Sequence, residues 1–283
     1  MNLVRSPVAM QALALRLRRE GAVIGFVPTM GCLHAGHIAL MRRALTAADV
    51  LVASIFVNPI QFGPKEDFKR YPRTFRRDAA MCRTAGVDIL FCPDVARMYA
   101  PDHSVYVEET RISTALCGAS RPGHFRGVAT VVTKLFNIVQ PDFAVFGRKD
   151  AQQARIVERM VRDLNMPVRI VVAPTVREAD GLAMSSRNAY LSPEERRRAA
   201  DINAALKAAR GMVAAGERNA GILCRAVARR LAEGSPSMTI DYISVVDYDS
   251  FDVVKRLSGD NLLAVAVRLG RTRLIDNVRL RVT

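Results

Sequence analysis

Short, predominantly apolar runs recur at 23–27, 50–57, 87–91, Phe143–Gly147 and 168–172, each separated from the next by a stretch of helical spacing. A strand that is apolar along its whole length has to be covered on both faces. Helical crossovers that cover both faces make the strands parallel. The pattern therefore predicts an α/β fold, with helices over 7–20, from Gly36 onward, over 75–85, from near Gly127 and from 148 through Leu164. The rhythm changes after residue 176, where two long helices (194–214 and 219–233) precede strands at 238–246, 262–268 and 273–281. Helices followed by consecutive strands predict a separate, smaller α+β domain, so the expected domains are 1–176 and 177–283. The stretch 93–118 is irregular apart from an extended piece at 105–107.

Composition narrows the function classes. The formal charge of +15 raises nucleic acid as a partner, but the basic excess is spread over both halves and there is no Trp. The densest runs, at 196–198 and 229–230, fall on helical segments, where charge usually marks a solvated face. Anionic small substrates fit better than a nucleic-acid track. Five cysteines (Cys32, Cys82, Cys92, Cys117, Cys224) without a Cys-x-x-Cys pair argue for reduced thiols and against a zinc site. With no signal-peptide pattern and no apolar run long enough for a membrane, the expectation is a soluble cytoplasmic protein.

The chemistry concentrates at strand ends. In V-P-T-M-G-C-L-H-A-G-H-I-A-L-M (27–41), a strand ends at Pro28 and Gly31 and a helix opens near Gly36. His34 and His37 stand three apart at that helix start, and both can face whatever the helix end holds. Unpaired N–H groups and the helix dipole suit a phosphate there, and the same dipole favours neutral imidazoles over imidazolium. A metal pair fits less well, since no Glu lies between them and helical metal pairs are usually four apart.

Further along, N-P-I-Q-F-G-P (58–64) follows the second strand, where parallel sheets place ligands, and Asn58 and Gln61 are amides suited to a hydroxyl or carboxylate. Between 118 and 136, Arg121, His124 and Arg126 precede the helix near Gly127, a second helix start open to anions. R-K-D-A-Q-Q (148–153) offers Lys149 for a phosphate, Asp150 for a ribose hydroxyl and Gln153 one turn on. The segment 176–192 sets Ser185, Ser186 and Arg187 in succession, and Ser192-Pro193-Glu194-Glu195 then opens a helix with a Ser cap, Pro and acids.

Taken together, P-T-M-G-x-L-H-x-G-H, F-V-N-P-x-Q-F, R-P-G-H-F-R-G-V, F-G-x-K-D-x-Q-Q, D-G-L-A-M-S-S-R-N and G-R-T-R-L-I-D-N, in order from 28 to 277, resemble the pantoate-β-alanine ligase (pantothenate synthetase) family. That family belongs to the His-x-x-His nucleotidyltransferases, so the resemblance implies a Rossmann-like, nucleotide- and pantoate-binding N-terminal domain and a smaller C-terminal domain that closes over the site. It implies condensation of pantoate with β-alanine at the expense of ATP, with Mg²⁺ as ATP's companion. The intermediate would be a pantoyl adenylate, and the products pantothenate, AMP and pyrophosphate.

Residue by residue, the resemblance implies that His34 and His37 contact ATP phosphates, with His37 as acid in the first step. Gln61 and Gln153 would hold pantoate, and Met30 would touch both substrates. Gly147, Lys149 and Asp150 would form the nucleotide loop, with Lys149 also serving the chemistry. Val176 with Met184, Ser185, Ser186 and Arg187 would close over ATP, so 176–188 is expected to move as a lid. The family is usually homodimeric. Ala35 and Arg148 depart from the pattern, standing where acids are common, and put the local charge in doubt. The F-V-N-P-x-Q-F motif separates this reading from other adenylyl-transferring relatives, and the charge alone supports the nucleic-acid alternative.

Overall fold

The computed structural model describes residues 1–64, 66–234 and 238–282. Its strands are β1 (Asn2–Val4), β2 (Ile24–Thr29), β3 (Val50–Ile55), β4 (Ile89–Phe91), β5 (Phe143–Gly147), β6 (Arg169–Ala173), β7 (Met238–Asp247), β8 (Gly259–Leu269) and β9 (Thr272–Val282). Its helices are α1 (Pro7–Arg19), α2 (Ala35–Leu45), α3 (Phe75–Thr84), α4 (Val95–Met98), α5 (Cys117–Ser120), α6 (His124–Val139), α7 (Ala151–Asp163), α8 (Pro193–Ala214) and α9 (Ala220–Gly234). The chain divides into two compact units.

The first unit gathers Met1–Ser113, Arg121–Arg148 and Gln153–Pro174. Its sheet runs β1-β4-β3-β2-β5-β6, and every neighbouring pair is parallel. Four of the predicted strands, β4, β3, β2 and β5, are interior to the sheet while β6 lies at its edge, and Val27, Leu51, Ala53, Leu90 and Val145 join Leu33 and Met41 in one core. Asp49 and Asp142 fix the start of β2 by accepting the N–H groups of Val23 at 2.8 Å and Ile24 at 2.7 Å. The chain builds outward from β2 through β3 to β4, then returns to place β5 on the other flank of β2. Strand order thus reverses between β2 and β5, so their C-terminal ends at Thr29 and Gly147 form the switch point beyond which sheets of this kind bind ligands.

Three expectations change at this level. The short edge strand β1 was not anticipated, since three residues carry no periodicity. No strand forms at 105–107; the Val107 N–H instead donates to Thr130 Oγ1 at 3.0 Å. Helix α6 begins at His124, not near Gly127, with Gly123 in the left-handed region as its N-cap. Gly127 is an interior helical glycine, and its role is close approach to a neighbouring backbone.

The second unit contains Thr114–Ser120, Lys149–Gln152 and the chain from Thr175 onward. Strands β7, β8 and β9 form an antiparallel sheet in that order. Leu263, Val265, Leu274 and Leu280 of the sheet pack with Ile202 and Leu206 of α8 and Leu223 and Val227 of α9. Helix α8 opens as the sequence predicts: Ser192 Oγ accepts from the Glu195 N–H, the Glu195 carboxylate accepts from the Ser192 N–H, and Pro193 leads.

Candidate active site

At the switch point of the first unit, the two histidines cap their own helix. The Gly36 N–H donates to His34 Nδ1 at 3.1 Å and the His34 N–H donates to His37 Nδ1 at 3.3 Å. The rings lie 4.1 Å apart between centroids. A backbone N–H can only donate, so each Nδ1 presents a lone pair, each imidazole is neutral, and each proton sits on Nε2. The helix start therefore carries two imidazole N–H donors in the positive field of the dipole, an arrangement that suits phosphate oxygens.

The loop leading into this cap is held from below by a residue that sequence reading passed over. Asp78 of α3, 1% exposed, accepts the N–H groups of Cys32 at 2.8 Å and Leu33 at 2.9 Å and the Thr74 hydroxyl at 3.1 Å. Gly31 and Cys32 both have positive φ there. A Cβ on Gly31 would come within 3.1 Å of the Asp78 carboxylate, so the turn needs glycine as well as the acid. A lone Asp in a basic helix leaves no local signal for such a role.

Gln61, in the 3₁₀ turn Pro59–Gln61, is fixed on several sides. Asn58 Nδ2 donates to Gln61 Oε1 at 3.0 Å and to the Gly127 carbonyl at 3.1 Å. Tyr99 donates its hydroxyl proton to Asn58 Oδ1 at 2.8 Å, and burial raises the Tyr99 pKa so that the hydroxyl stays neutral. With its oxygen so engaged, the Gln61 amide turns its N–H side toward Met30 Sδ, 3.1 Å away. Met30 and Gln61, expected at one site, are thus in contact.

Arg121 and His124 serve this same turn. Arg121 binds Glu66 at 2.6 and 2.7 Å and donates to His124 Nε2 at 2.8 Å, while His124 Nδ1–H donates to the Gln61 carbonyl at 2.8 Å. Arg126 lies over the Tyr106 ring. Of the three groups expected at a second anion site, Arg121 and His124 are thus engaged in building the Gln61 turn, while Arg126 packs on Tyr106. Gly147 closes β5, and Gln153 stands half-buried in the first turn of α7.

In the second unit, Lys149 and Asp150 occupy a 3₁₀ turn ahead of α7, with Lys149 Nζ 3.5 Å from Asp150 Oδ1. The segment 176–188 is a small hairpin. Met184 N–H donates to the Val176 carbonyl at 3.0 Å, Glu178 N–H to the Leu182 carbonyl at 2.8 Å, and Arg177 pairs with Ala183. Ser185 Oγ accepts from the Arg187 N–H at 3.3 Å and starts the 3₁₀ turn Ser186–Tyr190. Leu182 enters the core of the unit, and Arg196 of α8 binds Glu178 and Asp180, each at 2.5 Å. The hairpin is fastened to its own unit along its length.

A family profile described as pantoate-β-alanine ligase matches residues 2–279. The chain belongs to the pantoate-β-alanine ligase family. It is therefore an enzyme of the kind that joins pantoate to β-alanine. Pantothenate synthetase from Heliobacterium modesticaldum is 53% identical over 98% of this chain and 99% of its own length. The crystal structure of pantothenate synthetase from Thermus thermophilus superposes with a TM-score of 0.93 at 45% identity, covering 98% of this chain and 99% of that one. The Francisella tularensis enzyme, solved in complex with βγ-ATP and β-alanine, matches with a TM-score of 0.80 at 32% identity over 98% of this chain and 97% of its own. Among the described residues, no helix is long and apolar enough to cross a membrane.

Proposed function

We propose that the ligation runs on ATP in two steps at the β2/β5 switch point. First, a pantoate carboxylate oxygen attacks the α-phosphorus of ATP and the bond to pyrophosphate breaks, giving pantoyl adenylate. Then the amine of β-alanine attacks the acyl carbon and AMP leaves, yielding pantothenate. The carboxylate is its own nucleophile, so the protein has to supply alignment and neutralise charge growing on the leaving pyrophosphate. The neutral, Nε2-protonated His34 and His37 carry this reading: they present N–H donors, with His37 in the acid role, beside a helix N-terminus. Lys149 and Arg187 add positive charge.

The N–H side of the Gln61 amide, with Gln153 and Met30, orients pantoate. Gly147 and Asp150 complete the nucleotide loop, Asp150 toward a ribose hydroxyl. Val176 and Met184 to Arg187 cover ATP as the closing segment. Closure would exclude water from the labile adenylate.

Among the described residues, no three His, Cys, Asp or Glu side chains converge on a metal site. Mg²⁺ would enter as the companion of ATP. When bound, it supplies further neutralisation of pyrophosphate charge. The reading extends to a cytoplasmic homodimer without a specific nucleic-acid partner, which light scattering and salt-dependent retention on DNA test.

The deciding experiment is pyrophosphate release from purified protein with ATP and Mg²⁺, comparing pantoate, pantoate plus β-alanine, and unrelated acids. Continuous turnover should need both substrates. His37→Ala should lower kcat by roughly 10²- to 10³-fold, as expected for losing one preorganised donor. Turnover with a different acid, or an unimpaired His37→Ala variant, overturns the assignment.

A further inference from the structure

The I-D-N sequence in the middle of β9 has no part in the mechanism above, yet it is chemically out of place. Asp276 and Asn277 are 3% and 7% exposed in a strand that otherwise brings Leu274, Val278 and Leu280 into the apolar core. Successive strand residues point to opposite faces, so the two side chains reach different neighbours. Asp276 receives Arg177 in a two-pronged pair, Nη1 to Oδ2 at 2.6 Å and Nη2 to Oδ1 at 3.0 Å. The same guanidinium donates to the Gly181 carbonyl at 3.1 Å and so grips the turn of the 176–188 hairpin. Asn277 Nδ2 donates to the Lys149 carbonyl at 2.9 Å. The pair is joined internally, since the Asn277 N–H donates to Asp276 Oδ1 at 2.8 Å.

We propose that Asp276 and Asn277 are positioning residues that lock the Lys149 turn and the 176–188 hairpin to one strand, so that both sets of ATP-binding groups travel as a single rigid piece. Two loops separated in sequence by α7 and β6 have no direct backbone bond that holds a fixed mutual geometry. A strand residue pair that binds one with each side chain provides it. A buried ion pair is weak support for stability by itself, because apolar residues of like volume fill a strand face at least as well. Its fork geometry does fix orientation, which is what a substrate-aligning surface needs.

This inference rests on the reading that Lys149 and residues 184–187 hold the nucleotide, and its test separates the two. Steady-state pyrophosphate release is measured with ATP, pantoate and β-alanine varied in turn for Asn277→Ala, Asp276→Asn, Lys149→Ala and the double variant Asn277→Ala/Lys149→Ala, with thermal melts alongside. Asn277→Ala and Asp276→Asn should each lower kcat/KM for ATP on the order of ten-fold, as a modest misplacement of aligning groups does. The KM for β-alanine should not move. The Asn277 loss should largely vanish when Lys149 is already alanine, because the two act as one unit. Asn277→Leu, which nearly keeps the volume and removes the amide without adding charge, should reproduce the same kinetic split even if the alanine variant melts early.

A ten-fold loss in Lys149→Ala beside unaffected Asn277 and Asp276 variants would overturn the clamp and leave the nucleotide reading standing. Fully additive losses would also overturn the clamp. An unaffected Lys149→Ala would overturn the nucleotide reading and the clamp with it.

Discussion

Replacing Gly127 with alanine tests how closely the proposed pantoate side of the site is built on backbone contact. A Cβ at this position would lie 2.5 Å from the Ile60 carbonyl oxygen, 2.6 Å from Gln61 Cα and 2.7 Å from Gln61 N. Comfortable separations between such atoms are roughly 3.5 Å, so helix α6 and the 59–61 turn have to part by about 1 Å. Every obstructing atom is main chain, and none can rotate away. The separation also stretches the Asn58 bond to the Gly127 carbonyl, 3.1 Å, and the His124 bond to the Gln61 carbonyl, 2.8 Å.

Overpacking of this kind costs about 1–3 kcal/mol of stability. A displacement of about 1 Å in a substrate-aligning amide lowers turnover on the order of 10²-fold. Pyrophosphate release with pantoate varied at saturating ATP should therefore show kcat/KM for pantoate falling far more than kcat/KM for ATP, and urea unfolding should report the stability loss. A parental pantoate dependence together with an unchanged urea midpoint would refute the reasoning, since the glycine would then not be needed for close approach.

Other perturbations follow from the same contacts. Asp78→Asn turns an amide N–H toward a Cys32 or Leu33 N–H that needs an acceptor, so urea midpoints should fall by the equivalent of about 1–3 kcal/mol, with loss of ATP-dependent turnover. At Glu66, burial alone would raise the carboxyl pKa, but the paired Arg121 hydrogen bonds and charge outweigh it and hold the pKa below its usual range. The folded value is therefore below the unfolded one, and the stabilisation is complete above the unfolded range and lost as pH falls through the folded value. Glu66→Gln should flatten that acid limb of a urea-midpoint profile. Burial pushes the Cys82 thiol up to about 12 and the Cys92 thiol up to about 11. Mass spectrometry should find both unmodified by iodoacetamide in the native protein at mildly alkaline pH, and both alkylated in urea. Nitrogen-15 NMR should find His34 and His37 protonated on Nε2 and His124 on Nδ1; the reverse pattern would contradict the capping bonds.

The fold was legible where a residue's role is set by its immediate neighbours in sequence. Predominantly apolar runs gave the central strands, and Ser192, Pro193 and Glu195 marked the start of α8, because a cap is satisfied within one turn. His34 and His37 stood out for the same reason. What escaped was set by partners far away in the chain. Gly127 read as a helix start because a glycine beside a loop usually marks one, and only the 59–61 turn packed against it explains its place inside α6. Arg121 and His124 read as anion ligands because nothing local reveals Glu66 or the Gln61 carbonyl. Asp78, in a helix rich in arginine, drew no reading at all, because the Cys32 and Leu33 N–H groups it holds lie far away in the chain.

Asp78 and Asp276 show one physical solution used in each unit. Each is a buried carboxylate on regular secondary structure, and each receives donors from a loop that carries the proposed chemistry: N–H groups of Cys32 and Leu33 in one case, the Arg177 guanidinium in the other. A carboxylate has enough lone pairs to hold several donors at fixed angles, and in a buried setting those bonds resist exchange with water. Such anchoring suits an enzyme whose first step uses the substrate's own nucleophile. On the proposed mechanism adenylation asks for no reactive side chain, so the rate would depend on how firmly neutral histidines, a lysine and an amide are aimed. The rigidity of the loops is thus part of the catalytic apparatus, and the residues that impose it need not touch substrate at all.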